Sequence, residues 1–320
     1  FIKIRSLIIL YKPLIQLDMK IYDCSMFFDE EMILDLRLNI MDQYVDKFVI
    51  TEATYMHSGK PKKLIFDINK FSKFKDKIIY QVIDDLPPNI ETIYEKDRDE
   101  KDTRGQKLAN NSNKREHYQR DMGLKSKTIL KNADSNDIIL IGDVDEIPNL
   151  EKVNFNKINK KLFFFRQKMF FYKFNLLHEE LSWTGTRACR KKDFISPQWL
   201  RDTKDKIYPF WRLDIFFSKT KYNSIFYVDN GGWHFTNIKT PEDIEKKFLN
   251  FLHHQDFEYS GLNLEDIRQM VENRKILYDH NADQKDFKWS GSKNLKKVDL
   301  SHMPRYIKEN LEKYNKWLDI

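Results

Sequence analysis

Two hydrophobic periods organise this chain. Lys20 to Phe28 is a largely apolar run of the length of a buried strand. Asp29 then offers an N-cap to a helix reaching about Met41, with Ile33, Leu36 and Ile40 on one face. Val45 to Thr51 predicts a second strand, ending at Glu52, and Lys77 to Ile83 a third, stopped by Pro87-Pro88. Strand, helix and strand in that order imply a parallel sheet with right-handed connections.

Asp97 to Glu116 is polar and nearly empty of apolar residues, which predicts a solvated loop of the kind that serves as a lid, leading into a helix. The run DIILIG from Asp137 to Gly142 predicts a central strand followed at once by Asp143-Val144-Asp145-Glu146. Leu162 to Phe174 and Ser224 to Val228 add strand content. After Trp233 the pattern turns helical. Thr240-Pro241-Glu242-Asp243 has an N-cap, a first-position proline and acids in the first turn, and Ile244, Phe248, Phe251 and Leu252 follow on one face. Ile307, Leu311, Tyr314 and Leu318 predict a final helix. The expected organisation is α/β: residues 1–19 a leader or extension of uncertain role, 20–235 the main domain, and 236–320 a helical region packed on it.

Composition narrows the class. Of 320 residues, 41% are hydrophobic and 33% charged, enough for a core and too evenly mixed for a disordered chain. The net charge of +7 forms no sustained basic stripe, so no nucleic-acid partner is expected, and mild positive charge would draw in an anionic diphosphate. Cys24 and Cys189 stand far apart and in no metal-binding spacing, which fits a reducing compartment and predicts a cytoplasmic location. The apolar run Leu7 to Leu10 is too short to span a bilayer.

In open α/β sheets ligands bind beyond the carboxyl ends of the strands, where Asp143 and Asp145 fall with DxD spacing. Paired hard oxygens suit Mg²⁺ or Mn²⁺, which stabilises the charge that builds on a diphosphate leaving group; a solvated acidic turn would have the same sequence. In Gly231-Gly232-Trp233-His234-Phe235 the glycines permit close backbone approach. His234 is a candidate third metal ligand or a packed core histidine. Glu52 is a candidate acceptor for a ribose or base, or a loop carboxylate. Lys60, Lys62 and Arg120 are candidate diphosphate partners, or ordinary surface charge. Trp183 beside Gly185 is a candidate platform for a sugar face, whereas Phe170 to Phe174 fits simple core better. A base is sought among Glu179, Glu180 and Asp229, with Asp229 preferred because it directly precedes GGWHF.

The blocks Ile21 to Leu64, GDVDEIP within Asp137 to Pro148, GGWHF, and REHYQRD from Arg115 to Asp121 together resemble glycosyltransferase family 17, over about Lys20 to His254. That resemblance implies a GT-A-like nucleotide-sugar-binding fold, with a central mostly parallel sheet and a C-terminal helical extension. It also implies a uridine diphosphate sugar donor, UDP-N-acetylglucosamine, a glycan acceptor, a divalent metal and inversion at the anomeric carbon. Two rival readings are a metal-dependent nucleotidyl- or phosphotransferase and a carbohydrate-binding protein without turnover. The first would want a phosphate-cradling glycine loop, and neither GxxxxGK[ST] nor GxGxxG occurs.

Overall fold

A computed structural model describes residues 19–98, 101–124, 129–209, 211–251, 254–278, 289 and 293–320. The expected extension over 1–18, and Leu252, lie outside the described residues. The chain opens with β1 (Ile21–Met26), α1 (Glu31–Met41), β2 (Lys47–Ala53) and β3 (Ile78–Ile83), the predicted strand–helix–strand start. Then come α2 (Lys101–Met122), β4 (Ile138–Ile141), β5 (Glu146–Pro148), β6 (Leu162–Phe171) and β7 (Leu176–Arg190). α3 (Pro197–Asp202), α4 (Asp214–Phe217), β8 (Ile225–Val228) and β9 (Gly232–Thr236) follow. The C-terminal part holds α5 (Pro241–Phe248), α6 (His254–Ser260), α7 (Leu264–Glu272), β10 (Lys296–Lys297), α8 (Arg305–Glu309) and α9 (Leu311–Tyr314).

The strands form one curled, mostly parallel sheet in the order β3-β2-β1-β4-β7-β6-β9-β5. β1 to β4 are mutually parallel, so their carboxyl ends share one edge. β6 takes antiparallel β7 along one side. On the other side β8 lies against its first half and β9 against its second. β4 is buried on both faces, which is why its sequence is a continuous apolar run rather than an alternation. One core lies between the sheet and α1, where Leu34, Leu36 and Leu38 are fully enclosed. On part of the sheet, Met169, Phe171 and Leu176 pack with Ile244, Phe248 and Ile267 of α5 and α7, and Phe251 joins them.

Three elements differ from the sequence expectation. Residues expected to form a lid-like loop are helical: α2 runs 22 residues. Its inward positions are themselves polar, Asn111, Ser112, Gln119 and Arg120 being buried, so no apolar stripe announces it. β7, the longest strand, has exposed Glu179 and Glu180 in its middle and irregular register against β6, which hides its period. The expected final helix is broken at Asn310, whose side-chain amide bonds the Tyr306 carbonyl at 2.8 Å and whose backbone leaves helical geometry.

Candidate functional site

The acidic turn follows β4 at the shared carboxyl edge. It closes with Glu146 N–H donating to the Asp143 carbonyl at 3.0 Å, and the chain re-enters the sheet as β5, where Glu146 stands opposite His234. Arg37, fully buried on α1, fixes this turn from beneath. It pairs with both oxygens of Asp23 at 2.6 and 2.7 Å and donates to the carbonyls of Asp143 at 3.0 Å and Glu146 at 2.7 Å. A buried arginine bound this way ties α1, β1 and the turn into one unit.

The three carboxylates have different surroundings. Glu146 is buried and saturated. Trp183 Nε1 donates to Oε1 at 2.7 Å, the Asp143 backbone N–H to Oε2 at 3.0 Å, and Arg201 to both oxygens. Asp143 accepts from Arg120 at 3.2 Å and from Arg201 at 3.1 Å. Burial opposes its ionisation, but the two guanidiniums prevail and hold it well below the usual carboxylate range. Asp145 lies 3.6 Å from His234 Nε2 and 3.9 Å from Lys247 Nζ. Against burial, first His234 and then Lys247 lower its pKa as well. Both aspartates are therefore anions at neutral pH.

A cavity of about 270 Å³ opens over this turn, near the lower end of the size usual for small-ligand sites. Asp143, Asp145, Glu146, His234, Trp183 and Lys62 all line it. The tails after β1 and β2 contribute Met26 to Phe28, Glu30, Tyr55 and His57; α2 adds Glu116 and Gln119; α5 adds Lys247. Burial pushes the His57 imidazole below its ordinary value. Arg120 stands behind Asp143, bonded also to Glu116 and Gln198.

Other predicted residues lie outside the cavity lining. Glu52 is fully buried and accepts from Lys62, from the backbone N–H of Ile65 at 2.9 Å and Phe66 at 3.1 Å, and from Tyr80 at 2.7 Å. It fixes the loop after β2 and holds Lys62 at the cavity rim. Lys60 is exposed just after the turn at His57 and Ser58. Asp229 is exposed after β8 and pairs with Arg166 at 3.2 Å. Glu179 pairs with Lys296, and Glu180 with Lys293 at 3.2 Å, both at the surface.

The residues missed in the sequence are Arg201, Arg37, Glu116, Lys247 and Glu30. Glu30, Arg37 and Glu116 lie within the blocks that carry the family resemblance but had no role assigned to them, and Lys247 is a basic residue in the last turn of a well-capped helix. Arg201 sits in a six-residue helix with no motif around it.

The donor set suits a divalent cation held partly by substrate. Among the described residues no three His, Cys, Asp or Glu groups form a metal-holding cluster by themselves. Two carboxylates facing one cavity are the usual protein share for Mg²⁺ or Mn²⁺, the remaining shell being phosphate oxygen and water. His234 Nε2 contacts Thr236 Oγ1 at 2.8 Å, while its buried Nδ1 has no hydrogen-bond partner. Its ring also packs against Trp183, with centroids 5.4 Å apart.

The sheet, with parallel strands ending at an acidic turn beneath a cavity rimmed by basic and aromatic side chains, has a GT-A-like α/β architecture. The chain belongs to glycosyltransferase family 17, whose family model matches residues 12–319, nearly its whole length. The protein is thus a glycosyltransferase, acting on a donor and an acceptor. No curated protein sequence matches it. Among the described residues no helix is long and apolar enough to cross a membrane.

Proposed function

We propose that the protein transfers N-acetylglucosamine from UDP-N-acetylglucosamine to a hydroxyl of a glycan acceptor, with inversion, and that Asp143 and Asp145 hold Mn²⁺ or Mg²⁺ against the donor diphosphate. The observation that carries this reading is the pair of ionised aspartates facing one cavity at the carboxyl edge of the sheet. The ion, when bound, neutralises the charge that builds on the departing diphosphate. Lys247 and Lys62 line the same space and add positive charge to it. Trp183, held by its indole N–H to Glu146, offers an aromatic surface to the sugar.

An inverting transfer needs a carboxylate to take the acceptor proton. Outside the acidic turn the cavity offers Glu116 and Glu30. Glu116 is bonded to Arg120, whose charge overcomes burial and lowers its pKa, making it a poor base. Glu30 accepts two backbone N–H bonds, from Phe28 at 3.2 Å and Asp29 at 3.1 Å, through a single oxygen, Oε2. We assign the base to Glu30 in preference to Asp229. Release of nucleoside diphosphate from a panel of nucleotide sugars, with Mn²⁺, with Mg²⁺ and with chelator, tests the reading. Metal-dependent release from UDP-N-acetylglucosamine is expected. Release from a different donor alone would refute the sugar assignment, and chelator-insensitive release the metal.

A further inference from the structure

The chain between α3 and β8 carries an apolar surface that the sugar-transfer site does not use. Ile207, Leu213, Phe216 and Phe217 are 71–89% exposed, and Trp211 is 67% exposed. Such side chains on the surface of a globular protein are ordinary when scattered; five within eleven residues are not.

The exposure is built in rather than a sign of a loose segment. The base of the loop is closed by Lys204 N–H donating to the Thr220 carbonyl at 2.8 Å and by Trp199 Nε1 donating to the Lys219 carbonyl at 2.7 Å. Trp199 and Tyr222 meet edge to face at 5.9 Å across that base. Tyr208 and Ile215 turn inward and are buried, so the loop has an inner face that anchors it and an outer face made of Leu213, Phe216 and Phe217.

Charge identifies the occupant. The same segment holds five cations, Lys204, Lys206, Arg212, Lys219 and Lys221, against two aspartates, Asp205 and Asp214. Asp214 is already paired with Arg212 and Lys221, both at 2.7 Å. Lys206 is exposed next to Ile207 in sequence, and Lys204 and Lys219 are exposed at the base of the loop. A second copy docking on this face would bring two cationic rims together. An anionic lipid surface matches both parts: bulky aromatic and aliphatic groups enter the interface while Lys and Arg remain among the headgroups.

We propose that residues 203–209 and 211–221 form a docking surface for an anionic membrane. The segment begins one residue after α3, whose Arg201 binds Asp143 and Glu146, so docking would hold the transfer site close to the lipid surface.

Flotation of the full chain with vesicles of phosphatidylcholine alone, or of phosphatidylcholine with phosphatidylglycerol, tests this. Binding is expected to the anionic vesicles and to weaken with salt. F216S/F217S should reduce partitioning at least about tenfold, and K206E/K219E by a similar factor, with melting temperatures unchanged. Three results would overturn the proposal: no binding to anionic vesicles, equal binding by wild type and F216S/F217S, or a vesicle-free dimer that F216S/F217S dissociates.

Discussion

Replacing Arg201 by Met removes the cation that Asp143 and Glu146 share while keeping much of its apolar volume. Four hydrogen bonds are lost: two to Glu146, one to Asp143 and one to the Gly185 carbonyl. Asp143 is partly exposed and can take up water, but the Glu146 side chain is 1% exposed and keeps only Trp183 and the Asp143 N–H. Stripping one partner from a buried ion pair costs about 3–5 kcal/mol. An opposing effect comes from Arg187, whose pKa is lowered to about 10 by burial and then by Arg201 itself; removing Arg201 relieves that repulsion. The lower end, about 3 kcal/mol, is therefore expected. For a chain of 320 residues, about 1.5 °C per kcal/mol gives a fall of about 4–5 °C in Tm by calorimetry. Adding Glu146→Gln removes the stranded charge and should restore at least half of the loss. A fall under about 1 °C for Arg201→Met, with no recovery in the double variant, would refute the claim that Arg201 compensates a buried carboxylate.

Gly232 sits at φ +131°, and a Cβ there would lie 2.1 Å from the Ile147 carbonyl, so Gly232→Ala should cost about 3 kcal/mol or more in urea unfolding. Gly261, at φ +71° with open space around it, should lose only about 1 kcal/mol on the same change; equal losses would remove the close-approach argument. Asp143, Asp145 and Glu116 all have depressed pKa values in the fold, so their stabilisation is complete above about pH 4 and is lost as the pH falls through the folded-state values. His57, also depressed, adds a shallower loss that begins below about pH 6.5. Urea midpoints that stay flat from about pH 7 to about pH 3 would contradict both signs. Glu30→Gln should lower kcat by at least about 100-fold while Asp229→Asn leaves it within about twofold; the reverse pattern in steady-state transfer assays would return the base to Asp229.

What could be read from sequence follows from where residues sit. β4 is enclosed on both faces, so its sequence is the short continuous apolar run from which a central strand was expected, and the acidic turn follows it at the ligand-binding edge. GGWHF was legible as a close approach, and Gly232 passes against the Ile147 carbonyl. The end of α2 was legible as the helix expected after the polar stretch, but its first part, up to Glu116, was not, because its buried positions are Asn111 and Ser112 and hydrophobic periodicity cannot register a polar inner face. Arg37 and Arg201 were missed for the same reason. Each is a charge made tolerable by carboxylates far away in sequence, and local pattern carries no trace of such partners. Asp229 was chosen for its nearness in sequence to His234, yet it lies outside the cavity lining and pairs with Arg166.

The central claim is that the cavity over Asp143 and Asp145 joins a nucleoside diphosphate to a divalent cation. Calorimetric titration of UDP into wild type and Asp145→Asn, each with and without Mn²⁺, tests it most directly. Mn²⁺ should tighten UDP binding to the wild type by at least about tenfold and leave the variant's affinity unchanged, with both proteins melting at similar temperatures. UDP affinity indifferent to Mn²⁺ in the wild type, or equally enhanced in Asp145→Asn, would contradict it.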